Sequence, residues 1–283
     1  MPVRSVWRVL APDNPSKIKP ASNVVSRLTL DDISAQLPSG VYTTFRTFEH
    51  RKVLPLEPQF LRLEESAALM NTPVSLNRSH IRAAIREAAQ WHPGQDNRIR
   101  LTLDLEEDPG TIYISIEPLS TPGPADYENG VATMTRRGER RNPKAKYTSF
   151  MSSVKMARDQ MPEGVNEILL VNGTGRILEG LSSNFFAVVQ GEIWTEDQSV
   201  LSGIVRSLVL EQARLAGILV HLQGTLLSDL ESLEEAFLTS ASRSVLPIHK
   251  IDVQIVGRGN PGPITKKLMG DYQRLIETQT QEL

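Results

Sequence analysis

A chain of 283 residues is long enough for two ordinary domains, and 40 % hydrophobic with 23 % charged residues is the make-up of a globular protein with a sizeable core. A formal net charge of −2 gives no basic excess for nucleic acid, and the lack of cysteine excludes disulfides, thiolate metal sites and cysteine nucleophiles. The opening MPVRSVWRVLAPDNPSK has no long apolar leader, and no run of about 18 apolar residues occurs, so the expected setting is cytoplasmic and without a membrane span.

Gly40 to Phe48 alternates and is rich in Thr, Tyr and Phe, which predicts a strand. Pro58 opens a predicted helix through about Met70, with apolar residues at Phe60, Leu61, Ala67 and Ala68. A second helix runs to about Trp91, capped by Asn77 or Ser79. RIRLTLD (Arg98 to Asp104) and TIYISIE (Thr111 to Glu117) read as a hairpin around the acidic turn EEDPG. Leu119 to Asp126 then concentrates Pro, Gly and Ser, which predicts a break between a domain of residues 1–120 and one of 131–283, with 121–130 as the linker.

Beyond it come a strand near Val131, a helix from about Ser149 to Arg158, and a strand Glu167 to Val171. Short strands follow at Arg176 to Leu178, Phe185 to Val189, Glu192 to Trp194 and Glu234 to Leu238. Ile204 to Ala216 is an amphipathic helix with Ile204, Leu208, Val209, Ala213 and Ala216 on one face, and Pro263 to Glu277 is the last helix. Helices and strands mix in both halves, so the fold class is α/β or α+β in two domains.

Several stretches carry candidate chemistry, each with a plainer reading beside it. In RILEGLSSNFF (Arg176 to Phe186) an acid, Glu179, sits among apolar residues; the plain reading is a turn acid partnered by Arg176. In LSGIVR (Leu201 to Arg206) a Ser-Gly pair precedes a helix, whose free N–H groups favour an anion; plainly read, Ser202 is an N-cap. Arg140 to Lys146 holds four cations, either a solvated face or the source of a lysine that forms an imine. Arg62 is either a snorkelling side chain or an ion-pair partner of Glu65 or Glu57, or else a phosphate ligand. The five histidines have no metal spacing, so no metal site is assigned. GRGNPG (Gly257 to Gly262) reads as a loop. An anion-binding helix start, a lysine, a buried acid and an arginine are together the parts that hold pyridoxal phosphate.

On these motifs the chain resembles the class IV aminotransferases, the fold-type IV pyridoxal-phosphate enzymes, from about Gly40 onward; the first forty residues lack the family's opening. LEGLSSNFFAV is similar to E-G-x-x-S-N-x-F, LSGIVR to G-I-T-R, FLTSASRSVLPI to the run that ends in a Pro, and FLRLEESA to H-x-x-R-L. The resemblance implies a small N-terminal α/β domain and a larger C-terminal pseudo-barrel domain. It implies pyridoxal 5′-phosphate as cofactor, with Glu179 on its ring nitrogen. Ser183, Asn184, Gly203, Ile204, Val205, Ser240, Ala241, Ser242 and Arg62 then line its remaining contacts. Val205 and Ala241 stand where relatives have threonine, and Gln59 where they have histidine.

The resemblance implies Lys144 or Lys146 as the imine lysine; the spacing to the acid in relatives and the helix that follows favour Lys146. Tyr42, Thr44 and Arg46 are the substrate residues implied, while Asp104 replaces the arginine of the usual D-specific arrangement. The activity implied is transamination between an amino acid and a 2-oxo acid. The alternatives are a 4-amino-4-deoxychorismate lyase, whose opening strand GVYTTFRT resembles, and a catalytically inert binding protein on the same fold. Small molecules are the expected partners, rather than nucleic acid or membrane, with a homodimer as the implied assembly.

Overall fold

The structure, a computed structural model, describes residues 4–21 and 28–283. Residues 1–3 and 22–27, within the opening stretch that lacks the family pattern, lie outside it. The chain groups into two compact units: Met1–Ser120 with Ala145–Lys155 and Gln279–Leu283, and Thr121–Lys144 with Met156–Thr278.

The first unit is built from strands β1 (Ser5–Val9) and β2 (Ile18–Pro20), helix α1 (Leu30–Ser34), strands β3 (Gly40–Arg46) and β4 (Lys52–Val53), helices α2 (Glu57–Leu69) and α3 (Arg78–Ala89), and strands β5 (Asn97–Asp104) and β6 (Ile112–Pro118). Five strands form an antiparallel sheet in the order β2-β1-β6-β5-β3. Strand alternation sorts the two faces. Ile99, Leu101 and Leu103 join Val41 and Phe45 in a core with Phe60, Leu63 and Ala67 of α2 and Ile81, Ala84, Ile85 and Ala88 of α3. The register sets Tyr42, Thr44 and Arg46 opposite Thr102, Arg100 and Arg98, so these six share the other face.

Asn77, and not Ser79, caps α3, accepting from the His80 N–H at 3.1 Å. The apolar stripe of α2 differs from the expected one. Leu61 is 44 % exposed and Ala68 is also exposed, whereas Leu63 is buried with Phe60 and Ala67. Phe60, Leu63 and Ala67 pack this face on the sheet, and Thr43 on β3 donates from Oγ1 to the buried Gln59 amide oxygen beside them.

The chain continues with α4 (Pro124–Asn129), β7 (Val131–Arg137), α5 (Ser149–Asp159), β8 (Val165–Val171), β9 (Ile177–Gly180), β10 (Asn184–Val189), β11 (Glu192–Trp194), α6 (Ile204–Leu215), β12 (Val220–His221), β13 (Glu235–Ser240), β14 (Ser244–Ile251), β15 (Gln254–Ile255), α7 (Pro263–Gln279) and β16 (Gln281–Glu282). Helix α4 starts inside the stretch expected to be a plain linker. Pro124 suits the first helical turn, and Gly130, at φ 83°, ends the helix.

In the second unit, six strands run β10-β13-β14-β7-β8-β9, and β9 pairs back to β10 through Glu179 and Asn184. That single pair closes the sheet on itself, as the expected pseudo-barrel requires. The two phenylalanines of the SSNFF run fall on opposite faces of β10, and both are fully buried. Phe185 joins the core of Leu169, Val171, Ile177, Leu238 and Leu246. Phe186 stacks on Phe237 of β13, centroids 4.7 Å apart. The buried face of α6 is Val205, Arg206, Val209 and Ala213, with Ile204 and Leu208 only half-buried, so the expected stripe is rotated. Arg206 tolerates that position through an ion pair with Asp197 at 3.1 Å. Among the described residues no helix is long and apolar enough to cross a membrane.

The stacked ring pair yields a stability prediction. Phe237→Ala removes a fully buried ring and is expected to destabilise by about 3–5 kcal/mol, read as a lower midpoint in denaturant; a change under about 1 kcal/mol would contradict this packing.

Candidate functional site

In the first unit the exposed edge of β3 is paired by the segment that carries Lys146. The Tyr42 N–H donates to the Lys146 carbonyl at 2.8 Å, the Thr148 N–H to the Gly40 carbonyl at 2.8 Å, and Val41 bridges Tyr147 in antiparallel fashion. The Lys146 N–H reaches the Ser66 hydroxyl of α2 at 3.2 Å. The backbone of this lysine is thus fixed by strand pairing, and its ammonium lies 5.0 Å from the centre of the Tyr42 ring.

The same ring carries a second cation, the Arg100 guanidinium, at 4.9 Å. Arg100 is 2 % exposed. It donates to the Leu30 carbonyl (2.9 Å), the Ser34 hydroxyl (2.7 Å) and the Thr44 hydroxyl (3.3 Å), and pairs with Asp31 at 2.9 Å. It therefore locks Tyr42 and Thr44 in place. Arg46, at the far end of β3, stacks over Phe48 at 4.7 Å and faces Asp96 at 3.5 Å. Arg62 is half-buried on α2.

In the second unit Glu179 lies on the strand pair that closes the barrel and is 3 % exposed. Its Oε2 accepts from the Leu201 N–H at 3.1 Å and from Asn184 Nδ2 at 3.4 Å. Asn184 Nδ2 also donates to the Leu201 carbonyl at 2.7 Å. One amide therefore ties the acid to the loop that enters α6. That helix opens at Gly203 with no capping side chain, so no cap takes up its first N–H groups, those of Ile204 and Val205 among them. Glycine is required here by close approach, because a Cβ at 203 would stand 2.0 Å from Asn184 Oδ1.

Lys144 lies on this side, donating to the Asp197 carbonyl and to the Ser202 hydroxyl at 3.4 Å. Arg176, the expected partner of Glu179, instead donates to the Gly224 carbonyl. The partner is Arg140, 3.6 Å from Glu179 Oε1. The run from Arg140 is thus not wholly a solvated face, since Arg140 is itself buried.

A second buried acid orders the neighbouring turns. Glu167 Oε2 accepts from the hydroxyls of Ser182 (2.9 Å) and Ser183 (3.0 Å) and from Arg243 (2.6 Å). Arg243 reaches back to the Ser240 hydroxyl at 3.3 Å, and Ala241 and Ser242 are half-buried in the turn between. Burial alone would push the Glu167 carboxyl up, but Arg243 and Arg158 outweigh it and hold it below the ordinary value of 4.5. Ser183 thereby serves the turn, with its hydroxyl bound to Glu167.

The structure thus brings Tyr42, Thr44 and Lys146 together in one unit, and Glu179, Asn184, Gly203 and the start of α6 in the other. Arg100, Arg140, Glu167 and Arg243 were not singled out as site residues from the sequence. Only Arg100 left a signal there: in RIRLTLD it alternates with Ile99 and Leu101, which puts it on the face opposite the core.

Residues 40–251 match the profile of the family described as Amino-transferase class IV. The chain is 26 % identical over 246 residues to a probable branched-chain-amino-acid aminotransferase of Thermotoga maritima, covering 85 % of this chain and 87 % of that one. It is 25 % identical over 266 residues to a D-alanine aminotransferase of Bacillus licheniformis, covering 89 % and 92 %. Among solved structures, a putative branched-chain amino acid aminotransferase from Thermotoga maritima superposes with a TM-score of 0.78 at 25 % identity, covering 97 % of this chain and 96 % of that one. A T.th. branched-chain amino acid aminotransferase with pyridoxamine 5′-phosphate gives a TM-score of 0.78 at 19 % identity over 98 % of both chains, a likeness of fold. The expected fold class is borne out.

Two predictions test this geometry. Gly203→Ala forces the Asn184 amide aside and is expected to lower stability by about 1–3 kcal/mol; an unchanged denaturation midpoint would contradict the close approach. A carboxyl held below 4.5 in the folded state gives stability that is complete above that pH and fades as the pH falls through the folded value. Wild-type stability should therefore fall more steeply than that of Glu167→Gln between about pH 5 and pH 3, and parallel acid limbs would show that Glu167 is not held ionised.

Proposed function

Because the chain belongs to the class IV aminotransferases, we propose that it moves an amino group between an amino acid and a 2-oxo acid, with pyridoxal 5′-phosphate as cofactor and Lys146 as the residue that links to it. The observation that carries this reading is Glu179: a carboxylate 3 % exposed, held by a backbone N–H and an amide beside an uncapped helix start. A buried acid so placed suits a protonated ring nitrogen, and N–H groups at a helix start suit a phosphate.

The donor set fits the cofactor. Glu179 offers the acceptor for the ring nitrogen, which in hydrogen-bond reach favours the charged ring by roughly 1–3 pKa units, or about 1.4–4 kcal/mol. The N–H groups of Ile204 and Val205 would hold the phosphate, with the Ser240–Ala241–Ser242 turn and the Arg62 cation as further contacts. Valine at 205 offers only its N–H there. Asn184 and Gly203 set the spacing between acid and helix start. When bound, the cofactor supplies an electron sink for negative charge at the substrate Cα. The Lys146 amine would hold and return the proton at the substrate Cα. Tyr42 and Thr44, fixed by Arg100, would face the substrate, with Arg46 farther along the strand.

Lys144 already serves the Asp197 carbonyl, which supports Lys146 as the linking residue. The relatives named above are aminotransferases, which favours transfer over the lyase reading. A cytoplasmic homodimer is the assembly and setting this reading carries with it.

The test is amino transfer itself. Incubation with a panel of amino acids and a 2-oxo acid should yield a new amino acid with ping-pong kinetics, and Lys146→Ala should lose at least about 10³-fold in turnover. Pyruvate release from aminodeoxychorismate without any amino transfer would contradict the proposal.

A further inference from the structure

Glu179 presents its two oxygens to different kinds of partner. Oε2 is held by neutral donors, the Leu201 N–H and the Asn184 amide. Oε1 faces a cation, Arg140, at 3.6 Å, with side chains 6 % and 4 % exposed. Arg206, also buried on the first turn of α6, pairs with Asp197 at 3.1 Å and donates to the Glu196 carbonyl at 2.9 Å, and its charge also acts on Glu179 from farther off. Removing one charge of a pair buried at this depth leaves the other less compensated, which is unfavourable.

We propose that Arg140 is a resident counter-ion of Glu179, a positioning residue that balances the acid's charge and aims it before the cofactor arrives. The inference rests on the cofactor reading above and adds a residue that the motifs did not assign. Its consequence follows from linkage. In the unloaded protein Arg140 balances Glu179 in charge. In the loaded protein the ring nitrogen supplies a further cation, and Arg140 then opposes it. Removing Arg140 must therefore cost the unloaded protein more than the loaded one, and the difference must show as tighter cofactor binding.

The test compares wild type, Arg140→Lys, Arg140→Met, Glu179→Gln and the double variant Arg140→Met with Glu179→Gln at one pH near 8. Melting temperature is read with and without pyridoxal 5′-phosphate, and cofactor affinity by equilibrium dialysis. Arg140→Met should lower the unloaded melting temperature by about 8 °C and the loaded one by less than half of that. It should also bind pyridoxal 5′-phosphate about tenfold more tightly, whereas Arg140→Lys should stay close to wild type. The double variant should regain at least half of the unloaded loss, because both charges of this pair are removed together.

Equal losses in both states, weaker cofactor binding by Arg140→Met, or a double variant no more stable than Arg140→Met would each overturn the proposal. If Arg140→Met does not fold, a folded double variant supports the counter-ion role and an unfolded one overturns it. A wild type that binds no pyridoxal 5′-phosphate would end the functional reading, while the unloaded melting temperatures would still decide whether Arg140 balances Glu179.

Discussion

A carboxylate at the seam of a closed sheet is the constraint around which the second unit is arranged. Glu179 pairs with Asn184 at the one point where β9 meets β10, so the pair that completes the barrel also places the acid. At that depth a lone anion costs several kcal/mol. The surroundings answer with an amide, a backbone N–H and a guanidinium. The same amide fixes the loop before α6, and its oxygen lies where any side chain at 203 would have to go. Acid, glycine and helix start are thus one mechanical piece.

The first unit is arranged around the backbone of a long, flexible side chain, that of Lys146. Lysine has a long stem with much rotamer freedom. The chain fixes what it can, which is the backbone: residues 146–148 pair along the edge of β3, and Ser66 takes the Lys146 N–H. The Tyr42 ring, braced by Arg100, lies beneath the ammonium. Edge pairing also covers backbone groups that β3 would otherwise expose.

The amphipathic and alternating elements were legible in the sequence because burial there follows the strand or helix period. RIRLTLD and TIYISIE became paired strands, and Asn77 became the cap of α3. Glu179 stood out because an acid among Leu, Gly and Phe demands a partner. What escaped depends on contacts far apart in the chain. Strands β1 and β2 and helix α1 are short and have little period of their own, and β1 gains its place by pairing with β6. Arg140 looked solvated because its run is polar, and only the fold brings it to Glu179. The face of α6 rotated because Asp197 makes burial of Arg206 tolerable, a charge effect that no hydrophobic pattern reveals. The return of Ala145–Lys155 to the first unit follows a run without glycine-rich punctuation, so nothing local marked it.

Under the proposed function one particular amine, on a backbone clamped to β3, carries the cofactor. Borohydride reduction of the protein loaded with pyridoxal 5′-phosphate, followed by peptide mapping, tests it most directly. A single stable adduct on the peptide containing Lys146 is expected. An adduct on Lys144 or any other lysine, or no adduct at all, would contradict it.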